Sequence, residues 1–349
     1  MSTLNCPDEV YLAEKLVELH PWSDMVKFAR TGGEANAIAL RLARAASGRD
    51  GVAICGYHGW HDWYLAANLR GQDDLGALLL PGLETVGVPK CLKEFTHTFS
   101  YNDFDGLQEL TKNNQIGVII MEVKRNVEPK DRFLEKVRQL ASDKGIVLIF
   151  DECTSGFRSC YGGLHKLYGV EPDLAMFGKA LGNGYAITAV IGKKNIMEYA
   201  QNSFISSTFW TERIGPAAGI ATLEEMRIQK SWERTMDLGT YFSNKLKLNC
   251  DDVGLPVDIF GLESLPNFSL GDKIGLALKT LFTQEMLKKG YLASTLFFAS
   301  TAHDEHIIDR YFETAHPILE KLALCNKDPD LATKLLDGPV CHDGFKRLN

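Results

Sequence analysis

Ile146-Val147-Leu148-Ile149-Phe150-Asp151 runs through consecutive apolar residues and closes on a carboxylate. A strand with one wet face alternates apolar and polar side chains, whereas a strand covered on both faces is apolar throughout. The run therefore predicts a central strand of a parallel sheet with helices packed on either side. Ile116-Gly117-Val118-Ile119-Ile120-Met121-Glu122 has the same character, and shorter strand-like runs occupy 25–29, 52–55, 174–177 and 187–191. Helical periodicity fills intervals at 34–46, 104–112 and 132–144. Strands alternating with helices predict an α/β domain with a mostly parallel sheet.

Further along the pattern changes. A long helical stretch is expected over 215–248, with Pro216 suited to its first turn. Strands at 255–260 and 296–300 and helices at 273–289 and 304–324 then predict a smaller α+β domain. The expected division is a large domain over 1–249 and a small C-terminal domain over 250–349, ending in a short helix and an extended tail. At 349 residues, 45% hydrophobic and 24% charged, the chain has ample material for such cores. Its net charge of −7 argues against nucleic acid or an anionic membrane as the main partner. No apolar run is long enough to span a bilayer, and Met1-Ser2-Thr3-Leu4-Asn5-Cys6-Pro7-Asp8 lacks the basic and apolar regions of a secretory signal. The eight cysteines never fall in C-x-x-C spacing, so neither a metal site nor a redox dithiol is indicated. They read as small buried hydrophobes in a reducing, cytoplasmic setting.

Several places could carry chemistry. Thr31-Gly32-Gly33-Glu34 lies between a strand and a helix. Glycines permit a tight turn and close approach of a ligand, and the first helical N–H groups favour an anion. A phosphate cradle and an ordinary strand-to-helix turn both explain it. Asp151 ends the central strand, the edge where open parallel sheets place their ligand crevice. A functional carboxylate and a structural cap or ion pair are both consistent with that position. Lys179 sits in Phe177-Gly178-Lys179-Ala180-Leu181-Gly182-Asn183-Gly184, after an apolar run and among glycines. It could act as a nucleophilic amine toward a carbonyl, or point to water as most lysines do. Tyr57-His58-Gly59-Trp60-His61 follows the strand at 52–55. Tyr57 could stack on a flat cofactor or complete the core, while His58 and His61 lack a third ligand for a metal. Glu122 ends another strand, and Thr208, before Phe209-Trp210 and a helix, suits an anion site or a cap.

Taken in order, these motifs resemble those of the class III aminotransferases, and within them the glutamate-1-semialdehyde aminomutase-like branch, over about residues 7–322. Thr31-Gly32-Gly33-Glu34-Ala35-Asn36 resembles the family's Ser-Gly-Thr-Glu-Ala phosphate turn, and Tyr57-His58-Gly59-Trp60 its aromatic stacking motif. Asp151-Glu152-Cys153-Thr154-Ser155-Gly156-Phe157-Arg158 resembles the Asp-Glu-Val-x-x-Gly-Phe-Arg run, and the segment around Lys179 the Schiff-base segment. Ala299-Ser300-Thr301-Ala302-His303-Asp304-Glu305 resembles the Ser-x-Ala-His-Thr-Glu opening of the last long helix. The resemblance implies an α/β PLP-dependent transferase of fold type I, like aspartate aminotransferase, with a small C-terminal α+β domain. It implies pyridoxal 5′-phosphate (PLP) on Lys179 as a Schiff base, with Asp151 paired to the pyridine nitrogen. It also implies Thr31, Gly32 and Gly33 at the phosphate, and Tyr57 on the ring face with His58 in the same cofactor-binding motif. Glu122 would lie near the 3-oxygen. Thr208 would reach the phosphate of a neighbouring subunit, hence a homodimer.

The implied reaction moves an amino group between an amino acid and a small oxo compound, with Lys179 as base and acid. An intramolecular aminomutase and a catalytically impaired PLP-fold fragment are the alternatives. Three departures from the pattern stand out. Gly33 replaces a usual threonine. Phe209-Trp210-Thr211-Glu212-Arg213 replaces the usual Ser-Gly-Asn-Pro. The sequence also begins near the family's first large-domain helix, where members carry a longer N-terminal segment that helps cover the substrate. The expectation is that the sequence starts late or that its site is unusually open.

Overall fold

The computed structural model describes residues 4–70, 85–112 and 115–341; the expected short helix is Pro329–Leu335, and the end of the expected tail, 342–349, lies outside the described residues. Two compact units meet in sequence at Gln229 and Lys230. Among the described residues of the first, seven strands form one sheet. They are β1 (Met25–Ala29), β2 (Gly51–Cys55), β3 (Thr96–Thr98), β4 (Ile116–Met121), β5 (Val147–Glu152), β6 (Leu174–Phe177) and β7 (Thr188–Gly192), in the order β1-β7-β6-β5-β4-β2-β3.

β2 to β6 pair in parallel, while β7 pairs antiparallel with both β6 and β1. Two reversals make β1 run with β6. Every strand of the sheet except β7 therefore ends at the same edge, which is what positions the site.

β4 and β5 are buried at every position, as continuous apolar runs require. Their odd and even residues feed different layers. On one face, helix α2 (Gly32–Ser47) packs Ile38, Ala39, Leu42 and Ala43 with Ile54, Ile120, Ile149 and Met176. On the other, helix α1 (Pro7–Leu19) packs Leu12 and Leu16 with Phe177, Ile187, Ala189 and Ile191. Leu12 and Leu16 are fully buried, and each such side chain contributes about 1.5–3 kcal/mol of transfer free energy.

The helical stretch expected over 215–248 is two helices, Ile214–Gln229 and Ser231–Val253, broken where Lys230 takes a left-handed φ of 48°. The expected division at 249/250 falls inside the second of these. The second unit contains an antiparallel pair, β8 (Val257–Leu262) and β9 (Leu265–Leu270), with helices Gly275–Lys288 and Glu305–Lys327. Phe242, Phe268, Phe282 and Phe312 lie in its core. The strand expected at 296–300 is not formed. Only Leu296 bridges to Asn267, while Phe268 and Phe297 exchange backbone hydrogen bonds with Thr295 and Pro266 across a short contact. β8 pairs with the segment directly after it. Among the described residues no helix is long and apolar enough to cross a membrane.

Candidate active site

Because β1, β2, β4, β5 and β6 run the same way, the residues that follow them collect at one edge. A cavity of about 520 Å³ opens there, and Thr31, Gly32, Gly33, Tyr57, Asp151 and Lys179 all line it. His58 and Glu122 are buried beside it, at 0% and 3% exposure. Glu122 Oε2 accepts the Tyr57 N–H at 3.3 Å. Thr208 is exposed at the first turn of the short helix Thr208–Thr211 and is not among the lining residues. Clefts of about 810 and 910 Å³ elsewhere on this unit include neither Asp151 nor Lys179. The chemistry is concentrated in the smaller cavity.

The turn after β1 is a helix cap. Thr31 Oγ1 accepts from the Glu34 N–H at 3.3 Å, and Glu34 Oε2 accepts from the Thr31 and Arg30 N–H groups at 3.0 and 2.9 Å. This reciprocal arrangement satisfies two orphan donors of the helix start and the Arg30 N–H just before it. The Gly32 and Gly33 amides have no acceptor among the described residues. They lie at the positive end of α2, where an anion is stabilised.

Asp151 is held by three donors. Oδ2 accepts from His58 Nδ1 at 2.9 Å and Asn36 Nδ2 at 3.0 Å, and Oδ1 accepts from the Cys153 N–H at 3.0 Å. Burial alone would raise the carboxyl pKa, but the hydrogen bond and charge of His58, the Asn36 amide and the Cys153 N–H together hold it below the ordinary value. The result is a deeply buried carboxylate facing the cavity in anionic form.

Lys179 follows β6 with a left-handed φ of 42°. For a residue with a Cβ this conformation costs on the order of 1–3 kcal/mol and marks a position fixed by its surroundings. Its side chain is exposed toward the cavity, and Nζ donates to Thr154 Oγ1 at 2.5 Å. The protein packed around the amine lowers its pKa from the ordinary 10.5, although Cys153, Asp151 and Glu122 pull the other way; Arg125 adds to the lowering. An amine so placed gives up its proton more easily than a free lysine and becomes a nucleophile or a base.

Asn36, Thr154 and His61 also line the cavity, and the sequence reading gave none of them a cofactor-binding role. Asn36 is the polar residue among buried Ala35, Ile38, Ala39 and Leu40 of α2, and that break in an apolar face is a readable signal. Thr154 and His61 lie three residues beyond Asp151 and His58 and have no comparable signature.

Residues 3–259 match the family model described as aminotransferase class-III. A 3-aminobutyryl-CoA aminotransferase of Cloacimonas acidaminovorans (strain Evry) is 34% identical over 333 residues, covering 90% of this chain and 75% of that protein. A glutamate-1-semialdehyde 2,1-aminomutase of Desulfatibacillum aliphaticivorans is 34% identical over 340 residues, covering 90% and 79%. Among solved structures, the FumI protein of Sphingopyxis sp. MTA144, in its PLP internal aldimine form, has the same fold. Its TM-score is 0.83 at 22% identity, over 96% of this chain and 80% of that one. The chain belongs to the class III aminotransferases, α/β enzymes of fold type I whose cofactor is PLP.

Proposed function

We propose that this chain transfers an amino group between an amino acid and a small oxo compound, with Lys179 and Asp151 as its working pair. The observation that carries the reading is their placement in one cavity, a carboxylate kept anionic and an amine kept easy to deprotonate. The rest of the cavity fits PLP. Asp151 suits a protonated ring nitrogen, the Gly32 and Gly33 amides suit a phosphate, and the Tyr57 ring supplies a flat apolar wall. Thr31 adds a hydroxyl at the same turn. His58 and Glu122 support the site from behind through Asp151 and the Tyr57 backbone.

When bound, PLP supplies a carbonyl for the amine and a ring that accepts the electrons left by a departing α-proton. The chain's own part is proton handling and orientation. Asp151 keeps a cation favourable at the ring nitrogen. Lys179 Nζ would take the α-proton as base and deliver it as acid to the cofactor's carbonyl carbon, with Thr154 Oγ1 fixing the position of the amine. Thr208, exposed on its own subunit, is proposed to complete the phosphate site of a second copy in a homodimer.

An aminomutase, which shifts the amino group within one molecule, is the second reading. It is favoured by the relative named glutamate-1-semialdehyde 2,1-aminomutase, while the equally similar 3-aminobutyryl-CoA aminotransferase favours transfer. The test is to load the holoenzyme with an amino donor, remove the excess, and add a 2-oxo acid. A transferase consumes the oxo acid stoichiometrically and regains its starting spectrum. Turnover of a single amino-aldehyde with no oxo acid consumed would decide for the mutase. A purified protein that takes up no PLP would overturn both.

A further inference from the structure

His61 lies at the helix-start end of the cavity, against the turn that carries Gly32 and Gly33. A Cβ built on Gly33 would fall 2.4 Å from His61 Cε1 and 2.6 Å from Nδ1. The imidazole edge thus fills the volume that a side chain at position 33 would need. Gly59 permits the approach. It has a φ of 102°, and a Cβ there would lie 3.1 Å from Gly33 Cα. Trp60 stacks on the ring with centroids 5.0 Å apart and planes at 17°, which sets the ring's orientation.

His61 Nδ1 is buried and has no hydrogen-bond partner among the described residues. Leaving such a nitrogen dry and unpaired costs about 1–3 kcal/mol, so a partner beyond the described residues is called for, and a bound ligand is one. The Gly32 and Gly33 amides beside it lack acceptors in the same way. Amide N–H groups can only donate, and an imidazole nitrogen can donate in one tautomer and in the imidazolium. A group rich in acceptors satisfies all of them together, and a phosphate is one.

We propose that His61 is a ligand of the cofactor phosphate, donating from Nδ1 alongside the Gly32 and Gly33 amides. This rests on the PLP reading above, with the phosphate at the start of α2. It follows that a side chain at 33 and the imidazole at 61 exclude one another. Gly33 is required by His61, and His61 supplies the polar contact that Gly33 cannot.

The test compares binding of PLP and of pyridoxal, which lacks the phosphate, to the apo full chain, followed by absorbance and tryptophan quenching. Thermal melts of the apo proteins report on folding. His61→Ala should weaken PLP roughly tenfold or more, the scale of one charge-assisted hydrogen bond, and leave pyridoxal affinity unchanged. His61→Asn, which keeps a donor, should retain most of the PLP affinity. Gly33→Ser should weaken PLP by collision with the ring, and Gly33→Ser combined with His61→Ala should recover it, because the hydroxyl then enters the vacated volume. PLP affinity unaltered by His61→Ala would overturn the proposal, as would equal losses for PLP and pyridoxal. A wild-type protein that binds neither ligand would overturn the cofactor reading itself, and this proposal with it.

Discussion

His58 Nδ1 lies 2.9 Å from Asp151 Oδ2, and neither residue is more than 4% exposed. The other ring nitrogen, Nε2, faces the Cys55 carbonyl at 3.1 Å. The imidazole is therefore anchored at the end of β2 and delivers its donor to the end of β5. Asp151 owes its lowered pKa to this contact more than to any other that opposes burial.

Removing that donor should be felt at Asp151. His58→Ala leaves Oδ2 with Asn36 alone, and the carboxyl pKa should rise. Loss of one hydrogen bond to a buried charge costs about 1–3 kcal/mol, which corresponds to roughly a 5- to 150-fold fall in kcat/KM. The acid limb of the pH–rate profile should also move to higher pH. A fall in rate with an unmoved acid limb would mean that His58 only fills space.

Lys179→Ala should abolish transfer. General acid–base catalysis alone is worth roughly 10²–10⁴-fold, and the attachment point for the cofactor is lost as well. Borohydride treatment of the wild-type holoenzyme should fix the cofactor mass on a peptide containing Lys179, and the variant should show no fixed mass. Because the protein packed around the amine lowers its pKa, attachment in the wild type should be half-complete at a pH below the ordinary 10.5. Fixation on another lysine would remove Lys179 from its role.

The convergence of Thr31, Tyr57, Asp151 and Lys179 is legible in the sequence because each follows an apolar run that reads as a strand, and strands of a parallel sheet end together. The reversal of β7 is not legible. A short buried strand carries the same residues whichever way it runs. The link between His58 and Asp151 is invisible for another reason, since it spans 93 positions and depends on the spatial neighbourhood of β2, β4 and β5. In the second unit, Pro266 and Asn267 argue against a strand at β9, yet it forms because residues 257–262 need a partner and the turn at Glu263-Ser264 supplies the next residues at once. Gly33 shows the limit from the other side. As a letter it is a missing hydroxyl, and only the position of His61 shows what stands in that place.

Arg30 fastens the segment that carries Thr208. Its guanidinium donates to the Phe209 and Trp210 carbonyls at 2.6 and 2.9 Å and pairs with Glu212 at 3.0 Å. Glu212 in turn accepts from the Gly215 N–H at 3.0 Å at the start of the helix Ile214–Gln229. Arg30→Ala should therefore loosen 208–212, with amide hydrogen exchange there roughly tenfold faster for about 1.4 kcal/mol lost. If Thr208 serves a neighbouring subunit, the same variant should also weaken PLP binding in the dimer. Exchange unchanged across 208–212 would show that other contacts hold the segment.

Acid stability should depend on His20, a fully buried residue packed on Phe177 at 4.9 Å between ring centroids. Its Nδ1 donates to the Leu16 carbonyl at 2.9 Å, and its Nε2 accepts from the Gly163 N–H at 3.0 Å. A neutral ring meets both bonds, whereas a proton on Nε2 would break the second. Burial pulls the pKa from the ordinary 6.5 to about 4; the Leu16 bond and Glu152 oppose this, while His165 and Lys166 reinforce it. Above pH 6.5 the folded and unfolded chains are both neutral at this site, so it has no pH effect there. As pH falls from 6.5 toward 4 the unfolded chain takes the proton and the folded chain does not, and stability declines. The loss should approach about 3 kcal/mol below pH 4. Urea unfolding followed by tryptophan fluorescence should show the midpoint dropping between pH 6.5 and 4.5. His20→Gln, which cannot titrate, should start from a lower midpoint but flatten that decline. An equal decline in both proteins would assign the acid sensitivity elsewhere, with the buried Glu152–His165 pair, joined at 2.7 Å on the same face of the sheet, as the next group to vary.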